Sequence, residues 1–356
     1  MSNLPKILFV PGDKKGCGFY RMMLPATALM EQGLAEVNVS FTLNGDEMNW
    51  ADLIVMQRPA NWDALEYARA ARSIGKKVIY ELDDYLPGVP LDNPGVKYWD
   101  GMGGKVGVSY EIMKSCDAVT TTTQRLANEL APWNRNVHIL PNYLDEVMWN
   151  QIQYGEEFEK KKKDDIIRIG WEGAAGHWAD LELVANVVKK ITDDYPKVRF
   201  IIFGFAPKEI FYHFANVQGK CAHCGQENQL EAFEGTEILQ YAGKLANLSF
   251  DIGIAPAVDI SFNECKSDLR IKEYAMLGIP IVASDITPYK KAIQQGKTGY
   301  ICTTAKEWDT ALRELIDNKE KRLEMGRNAK LWVKDLTIQK NIWRWVQVYQ
   351  KVLSQK

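Results

Sequence analysis

The chain has 356 residues and a formal net charge of −2 at pH 7, and 46% of its residues are hydrophobic, 25% charged and 11% aromatic. This composition excludes a disordered or fibrous protein, and the length predicts two domains. The small net charge excludes a general attraction for nucleic acid or anionic lipid, although a local basic patch is still allowed.

No export or membrane signal is evident along the chain. Residues 1–10 contain one lysine and a short apolar run, which does not fit a signal peptide. No stretch approaches the ~18 uninterrupted apolar residues of a membrane helix. The six cysteines are scattered in a way typical of reduced thiols. We therefore expect a cytoplasmic protein without a membrane span.

The first half of the chain alternates short β-rich runs with longer helical segments. This rhythm predicts parallel strands with crossover helices such as Trp62–Ile74 and Gln124–Leu130 between them. The predicted strands are Lys6–Val10, Val37–Leu43, Leu53–Gln57, Lys77–Leu82, Ala118–Thr122 and Val137–Leu140.

The second half repeats this rhythm, with predicted helices at Trp178–Tyr195, Ser267–Leu277 and Trp308–Asp317. The predicted fold class is therefore α/β, with two Rossmann-like domains whose parallel sheets face each other across a cleft, where such folds bind ligands. The predicted strands are Ile166–Trp171, Val198–Gly204, Asp251–Ala255, Ile279–Ser284 and Tyr300–Cys302.

A charged stretch without apolar periodicity, QYGEEFEKKKKDD, separates the two halves. We interpret residues 151–165 as a solvated linker between a first domain at 1–150 and a second domain at 166–337, because acids flank its lysine run on both sides. The last segment, 338–356, has one apolar helical stripe. We expect this helix to dock on the body of the protein, with the first domain as one option.

The stretch NECKSDLRIKEYAMLGIPIVASD, residues 263–285, carries an unusual set of charges on one short predicted helix. Lys266 and Ser267 stand at the entrance of this helix, and Arg270 follows in its first turn. Unpaired backbone N–H groups and two cations there suit a phosphate group. The carboxylate of Glu273, further along, can accept two hydroxyl hydrogen bonds, as from a ribose diol. The alternative is that these charges simply face water.

The continuation EYAMLGIPIVASD resembles the glycosyltransferases of the GT-B fold, specifically the retaining family 4, in a branch frequent in bacterial and tailed-phage genomes. The resemblance implies a nucleotide-sugar donor bound by the second domain, an acceptor bound by the first, retention of anomeric configuration, and no metal or other cofactor. The matching residues are Glu273, Ala275, Gly278, Pro280, Val282, Ala283 and Ser284.

Two further stretches resemble parts of this family. GCGFYRMMLP, residues 16–25, looks like the glycine-rich loop after the first strand. The resemblance implies donor approach at Gly16 and Gly18 and a phosphate contact from Arg21, with Tyr20 beside the acceptor. IGWEGAAGHWADLEL, residues 169–183, looks like the first strand and loop of the donor domain. It implies that Gly173 and His177 lie near the diphosphate. For His177 and for Asp180, helix capping is the open alternative.

The sequence departs from the family in two places. Members often carry a second glutamate eight residues before the one that binds ribose, where this chain has Cys265, so the usual sugar contact is absent or moved to Glu264 or Asp268. Members also often place an Arg and a Lys after the glycine that corresponds to Gly173. We expect Lys266, Arg270 and Arg21 to supply the missing positive charge.

Two clusters raise the question of a metal. Asp83 and Asp84 in YELDD follow a strand, and we interpret them as acceptor-binding residues, with turn capping as the alternative. Cys221 and Cys224 in CAHCGQ have the spacing of a zinc knuckle, but no second pair follows. We therefore expect no metal site, and zinc at Cys221 and Cys224 stays the alternative.

The resulting prediction is a hexosyl- or pentosyltransferase that moves a sugar from a nucleotide-diphosphate sugar to an acceptor hydroxyl. Lys266 and Arg270 would stabilise the leaving phosphate. The acceptor is unknown and is a glycan, a small molecule or a modified nucleic acid. The alternatives are a phage-type transferase acting on hydroxymethylpyrimidine in DNA, a non-catalytic nucleotide-sugar binding protein and a sugar-nucleotide epimerase.

Overall fold

The structure is a computed structural model that describes residues 4–91, 93, 96, 104–150, 152, 164–205, 208–214 and 229–355. The chain forms two compact units. The first comprises Met1–Glu146, Glu264–Ser267 and Leu336–Lys356, and the second comprises Val147–Asn263 and Asp268–Asp335. Among the described residues, no helix combines the length and the apolar character needed to cross a membrane.

The first unit is built on a six-stranded sheet in the order β2-β1-β3-β4-β5-β6, in which every pair is parallel. Its central strand β3 is buried along its whole length, because helices cover both faces of a parallel sheet. The strands are β1 Lys6–Val10, β2 Glu36–Val39, β3 Leu53–Gln57, β4 Lys77–Glu81, β5 Ala118–Thr121 and β6 Val137–Ile139.

Helices connect these strands, and the C-terminal helices of the chain also belong to the first unit. They are Gly16–Gly18, a π-helix at Phe19–Met23, Leu24–Glu31, Gly45–Trp50, Trp62–Ser73, a 3-10 turn at Leu86–Gly88, Lys105–Ser115, Gln124–Leu130, Ile338–Asn341 and Trp343–Leu353, and Glu146–Asn150 lies at the boundary of the two units. The C-terminal helix buries Trp345 and Tyr349, and the ring of Tyr349 lies 6.2 Å from that of Phe9 in β1.

The second unit repeats this architecture with a parallel sheet in the order β9-β8-β7-β10-β11-β12. The strands β10 and β11 are fully buried. The strands are β7 Ile167–Gly173, β8 Val198–Gly204, β9 Leu230–Phe233, β10 Ile252–Ala255, β11 Ile281–Ser284 and β12 Gly299–Cys302. The helices are a 3-10 turn at Ala175–His177, then Trp178–Asp194, Lys208–Phe214, Ile238–Asn247, Ser261–Glu264, Leu269–Met276, Thr287–Ala292, Ala305–Asp317 and Lys319–Val333.

Each sheet has a point at which the strand order reverses. In the first unit the reversal lies between β1 and β3, and in the second between β7 and β10. In open parallel sheets the loops at the carboxyl ends of the strands diverge at this point and leave a crevice in which ligands bind. The ends of β7 and β10, at Gly173 and Ala255, are therefore the first place to look for a site in the second unit.

The structure confirms the predicted fold class, because it contains two α/β units with six parallel strands each. It differs from the predicted elements in detail. The edge strand β9 was not predicted, the residues expected to form a loop from Gly16 are helical, and the helix expected from Ser267 begins at Leu269. Most of the predicted linker, together with Cys221 and Cys224, lies outside the described residues.

Candidate functional site

A buried ion pair marks the carboxyl end of β7 in the second unit. The Nε atom of Arg270 lies 2.7 Å from Oε1 of Glu172, and the Arg270 side chain is only 10% exposed. Burial alone would lower the pKa of Arg270, but the Glu172 carboxylate raises it well above its ordinary value. The guanidinium carbon also lies 5.7 Å from the ring centre of Trp171. Arg270 is therefore a fixed, permanently charged group at this edge of the sheet.

The guanidinium of Arg270 is not fully satisfied by protein groups. Its Nη1 is buried and has no hydrogen-bond partner among the described residues. A buried charged N–H without a partner is unfavourable, because the group has lost its water without gaining an acceptor. This atom can therefore donate to an anionic ligand at no further desolvation penalty.

His177 stands at the start of the helix Trp178–Asp194 and is held there by Asp180. Nδ1 of His177 lies 2.8 Å from Oδ2 of Asp180, while Oδ1 of Asp180 accepts hydrogen bonds from the backbone N–H of Val258 and from Nδ2 of Asn263, both at 2.8 Å. Burial raises the pKa of Asp180, but the hydrogen bond and charge of His177 outweigh it, so the pKa is below its ordinary value. Because an ionised carboxylate only accepts hydrogen bonds, Nδ1 of His177 is the donor in this pair.

Glu273 lies in the helix Leu269–Met276 and is almost fully buried, at 5% exposure. The hydroxyl of Tyr241 donates to Oε2 of Glu273 over 3.1 Å. The ring of Tyr241 in turn stacks on Phe203, with ring centres 5.6 Å apart and an interplanar angle of 17°. Tyr241 thus fixes the carboxylate that the sequence predicts as the ribose ligand.

Gly173 ends β7 at a point where no side chain fits. A Cβ atom there would clash with the indole ring of Trp171, and a Cβ at Gly204 in the neighbouring strand would clash with the Gly173 carbonyl oxygen. Gly204 also has a φ of +110°, which only glycine adopts readily. Both positions therefore require glycine, and no side chain projects from either of them.

A second charged cluster lies in the first unit, after β1, β3 and β4. Lys266 donates to Oδ1 of Asp84 over 3.1 Å, and Arg58 forms an ion pair with Asp13. Burial alone would lower the pKa of Lys266, but Asp84 raises it. Burial, with the neighbouring Asp84 charge, raises the pKa of Asp83. Arg58 has a φ of 41°, in the left-handed region that a non-glycine residue seldom adopts.

The structure divides the residues that the sequence groups on one helix. Lys266 and Ser267 belong to the first unit, whereas Arg270 and Glu273 belong to the second. The physical reason is local bonding. Thr123 donates to the carbonyl oxygen of Cys265 over 2.8 Å, and Asn142 donates to Oγ of Ser267 over 2.9 Å. The predicted domain bounds stay a prediction, and the two compact units divide these four residues between them.

Arg21 and Tyr20 are both buried in the first unit. Arg21 is only 2% exposed, its Nε binds Glu81 over 2.7 Å, and its Nη1 donates to the carbonyl oxygen of Leu140 and to Asn142. Tyr20 is buried against Phe19. Arg21 thus ties together the carboxyl ends of strands in the first sheet, while its Nη2 is buried without a hydrogen-bond partner among the described residues. The predicted phosphate contact of Arg21 and the predicted acceptor contact of Tyr20 stay predictions.

The two glycines of the predicted loop differ in their surroundings. A Cβ at Gly18 would clash with the carbonyl oxygen of Asp13, whereas a Cβ at Gly16 would meet nothing within 4 Å. Gly18 is therefore required by the close approach of its own chain. Gly16 has no such constraint.

Within the part of the chain that the structure describes, no group of three or more His, Cys, Asp or Glu side chains is arranged to hold a metal ion. Cys221 and Cys224, the alternative zinc ligands, lie outside that part.

Sequence reasoning missed Glu172 and Tyr241. An acid at the carboxyl end of a buried Ile-rich strand was a usable signal for Glu172, because that edge is where parallel sheets bind ligands. Tyr241 gave no such signal, because its contact with Glu273 joins residues 32 positions apart.

Comparison with known families gives one match. The family described as glycosyl transferases group 1 matches residues 269–332, which begin at the helix that carries Arg270 and Glu273. This match agrees with the predicted enzyme class. A search of curated proteins found no significant relative.

Solved structures with the same fold share little sequence with this chain. The crystal structure of Anabaena HepE in complex with UDP and glucose has a TM-score of 0.68 at 16% identity and covers 99% of this chain and 100% of its own. A glycosyltransferase from Rickettsia africae has a TM-score of 0.68 at 12% identity and covers 100% of both chains. Sucrose-phosphate synthase from Thermosynechococcus elongatus has a TM-score of 0.67 at 12% identity and covers 99% and 100%. These similarities show that the chain has the fold of GT-B glycosyltransferases.

Proposed function

We propose that this chain is a glycosyltransferase that moves a hexosyl or pentosyl group from a nucleoside diphosphate sugar to an acceptor hydroxyl. The observation that carries this proposal is the guanidinium of Arg270. It is fixed at the edge between β7 and β10, and its buried Nη1 has no partner among the described residues. Such a group suits a phosphate oxygen, which arginine binds through charge-assisted hydrogen bonds. The group 1 match over residues 269–332 supports the same function.

The diphosphate is the part of the donor that needs positive charge. As the bond to the sugar breaks, negative charge builds on the leaving phosphate, and preorganised donors stabilise it. We assign this role in the second unit to Arg270, with His177 as a second donor and with the backbone beside Gly173 allowing close approach. Asp180 holds the imidazole of His177 in place.

The nucleoside part of the donor is assigned to Glu273. Its buried carboxylate can accept hydrogen bonds from both hydroxyls of a ribose, and Tyr241 fixes its orientation. The complexes of Anabaena HepE with UDP and with UDP-glucose support a nucleotide sugar as the donor class.

For the first unit the predicted roles stay proposals. Asp83 and Asp84 are proposed to bind the acceptor, and Lys266 is proposed to stabilise the leaving phosphate. Ser267, Gly16 and Gly18 are proposed donor contacts. Because Lys266 is paired with Asp84, a phosphate would have to share its ammonium group with that carboxylate.

The remaining features of the proposal rest on the family resemblance. It favours retention of anomeric configuration and a reaction without metal, in which Arg270 and Lys266 supply the positive charge. We further propose a cytoplasmic location, because Cys17, Cys116, Cys265 and Cys302 are free thiols and fit a reducing compartment.

A turnover assay tests the proposed function. The protein would be incubated with UDP-, GDP-, ADP- and dTDP-sugars, with and without mixtures of glycan, small-molecule and hydroxymethylated-DNA acceptors, and nucleotide release would be measured. Acceptor-dependent release, with the sugar recovered on one acceptor, is the expected result. Binding without release would favour a nucleotide-sugar binding protein, and interconversion of the donor sugar would favour an epimerase.

A further inference from the structure

Glu172 has no role in the proposed reaction, although it lies at the carboxyl end of β7. We propose that Glu172 is a positioning residue, which binds Nε of Arg270 so that Nη1 is left to donate to the diphosphate of the donor. This inference rests on the proposed function and adds to it a residue that acts on the ligand only through Arg270.

The geometry joins Glu172 to the helix Leu269–Met276 at two points. Its carboxylate accepts from Nε of Arg270 over 2.7 Å, and its backbone N–H donates to the hydroxyl of Tyr274 over 3.1 Å. Arg270 and Tyr274 are four residues apart and thus lie on one face of that helix. The position of Glu172 relative to the guanidinium is therefore fixed by the backbone as well as by the ion pair.

The contacts of Arg270 divide its planar guanidinium into a held side and a donating side. Nε is bound to Glu172, and the guanidinium carbon lies over the ring of Trp171. Nη1 is buried and, among the described residues, has no hydrogen-bond partner. A guanidinium held along one edge has lost its rotational freedom before the ligand arrives, and such preorganisation strengthens binding.

A purely structural ion pair is the competing interpretation, and the two make different predictions. A structural pair would affect the stability of the second unit and leave ligand affinity unchanged in the folded protein. If Glu172 is a positioning residue, its substitution must weaken the binding of the ligand, and it must do so only while Arg270 is present. A double-mutant cycle measures this dependence directly.

The experiment measures the affinity of UDP, GDP, ADP and dTDP by calorimetry and follows the tightest nucleotide through a set of variants. We expect Glu172→Ala to weaken binding about 10-fold and Arg270→Ala about 100-fold, in the range for charge-assisted hydrogen bonds. In the Arg270→Ala background, Glu172→Ala should change the affinity less than about twofold. Glu172→Gln keeps an acceptor oxygen for Nε and should recover most of the affinity.

Two further variants control for folding. Arg168 lies at the opposite end of β7 and is paired with Asp164 over 2.8 Å, so Arg168→Ala removes an ion pair from the same strand away from the site. It should leave the affinity unchanged. Glu172→Asp withdraws the carboxylate from Nε by one methylene, and it replaces Glu172→Ala in the cycle if the alanine variant does not fold.

The outcomes separate the two proposals. If Arg270→Ala weakens the nucleotide while the folded Glu172 variants bind like the wild type, the positioning role is wrong and the proposed site stands. An equal loss from Glu172→Ala with and without Arg270 also overturns it, because Glu172 would then act on its own. If none of the nucleotides binds the wild-type protein, both proposals fail.

Discussion

The Oδ2 atom of Asp180 lies 2.8 Å from Nδ1 of His177, and this contact orients the imidazole at the start of a 17-residue helix. Because an ionised carboxylate can only accept, Nδ1 carries a proton in this arrangement. The other oxygen of Asp180 is held by Val258 and Asn263, so the carboxylate cannot turn away.

Replacing Asp180 by asparagine should lower the stability of the protein in a pH-dependent way. The pKa of Asp180 is below its ordinary value, so its charge favours the folded state above the unfolded pKa of ~3.9, and this contribution is lost as the pH falls through the folded pKa. We expect Asp180→Asn to lower the free energy of unfolding by about 1–2 kcal/mol at pH 7, with the difference shrinking below pH ~4. Urea denaturation at several pH values measures this.

The matched control for that prediction is Asp193→Asn. Asp193 lies on the same helix in a more exposed ion pair with Lys189, and its loss should change the stability by less than about 0.5 kcal/mol. A wild-type minus Asp180→Asn difference that stayed constant down to pH ~3 would contradict the role of the Asp180 charge.

Replacing Arg21 by methionine should destabilise the first unit severely. Arg21 and Glu81 form a buried ion pair, and removal of one partner leaves an uncompensated buried charge, which costs about 3–5 kcal/mol. Arg21→Met with Glu81→Gln should recover part of this loss. Arg69→Met, in an exposed pair with Glu66, is the control. A loss for Arg21→Met no larger than for Arg69→Met would refute the structural assignment of Arg21.

Alanine substitutions at Gly16 and Gly18 should have different consequences. Gly18→Ala places a Cβ against the carbonyl oxygen of Asp13 and should lower the free energy of unfolding by about 1–3 kcal/mol. Gly16→Ala finds open space at a helical position and should cause no loss. Melting temperatures of both variants test this. Equal melting temperatures would show that Asp13 does not approach Gly18 in this way.

Tyr241→Phe should weaken donor binding with little effect on stability. The substitution removes the hydroxyl that donates to Glu273 and keeps the ring that stacks on Phe203. We expect a 3- to 10-fold loss of nucleotide affinity, which corresponds to about 1 kcal/mol for one hydrogen bond. Tyr212→Phe, at a residue that is 75% exposed, is the control. If both variants bind equally well, the hydroxyl of Tyr241 has no role in the site.

The central strands could be predicted from the sequence because they are buried on both faces. The predicted bounds of β1, β3 and β8 agree with the structure, since each strand contains four consecutive apolar residues. The strand β9 escaped prediction because it is a short edge strand of which only Leu230 is buried, so it lacks that pattern.

The sequence could predict only the part of the candidate site that is formed by residues close together in the chain. Arg270 and Glu273 stand on one helix, and their spacing was enough to select them. The partner of Arg21 is 60 positions away, and the partner of Lys266 is 182 positions away, so no local pattern indicated either ion pair. The grouping of the segment around Cys265 with the first unit had no local signal either, because its bond with Thr123 spans 142 positions.

The affinity of nucleoside diphosphates for Arg270→Ala, compared with Arg168→Ala, tests the central claim most directly. Both variants remove an arginine that forms an ion pair at β7. Of these two arginines, Arg270 has a buried N–H without a partner among the described residues, and Arg168 does not. We predict that Arg270→Ala loses about 100-fold in affinity, or ~2.7 kcal/mol, while Arg168→Ala binds like the wild type. Wild-type affinity in a folded Arg270→Ala variant would contradict the account.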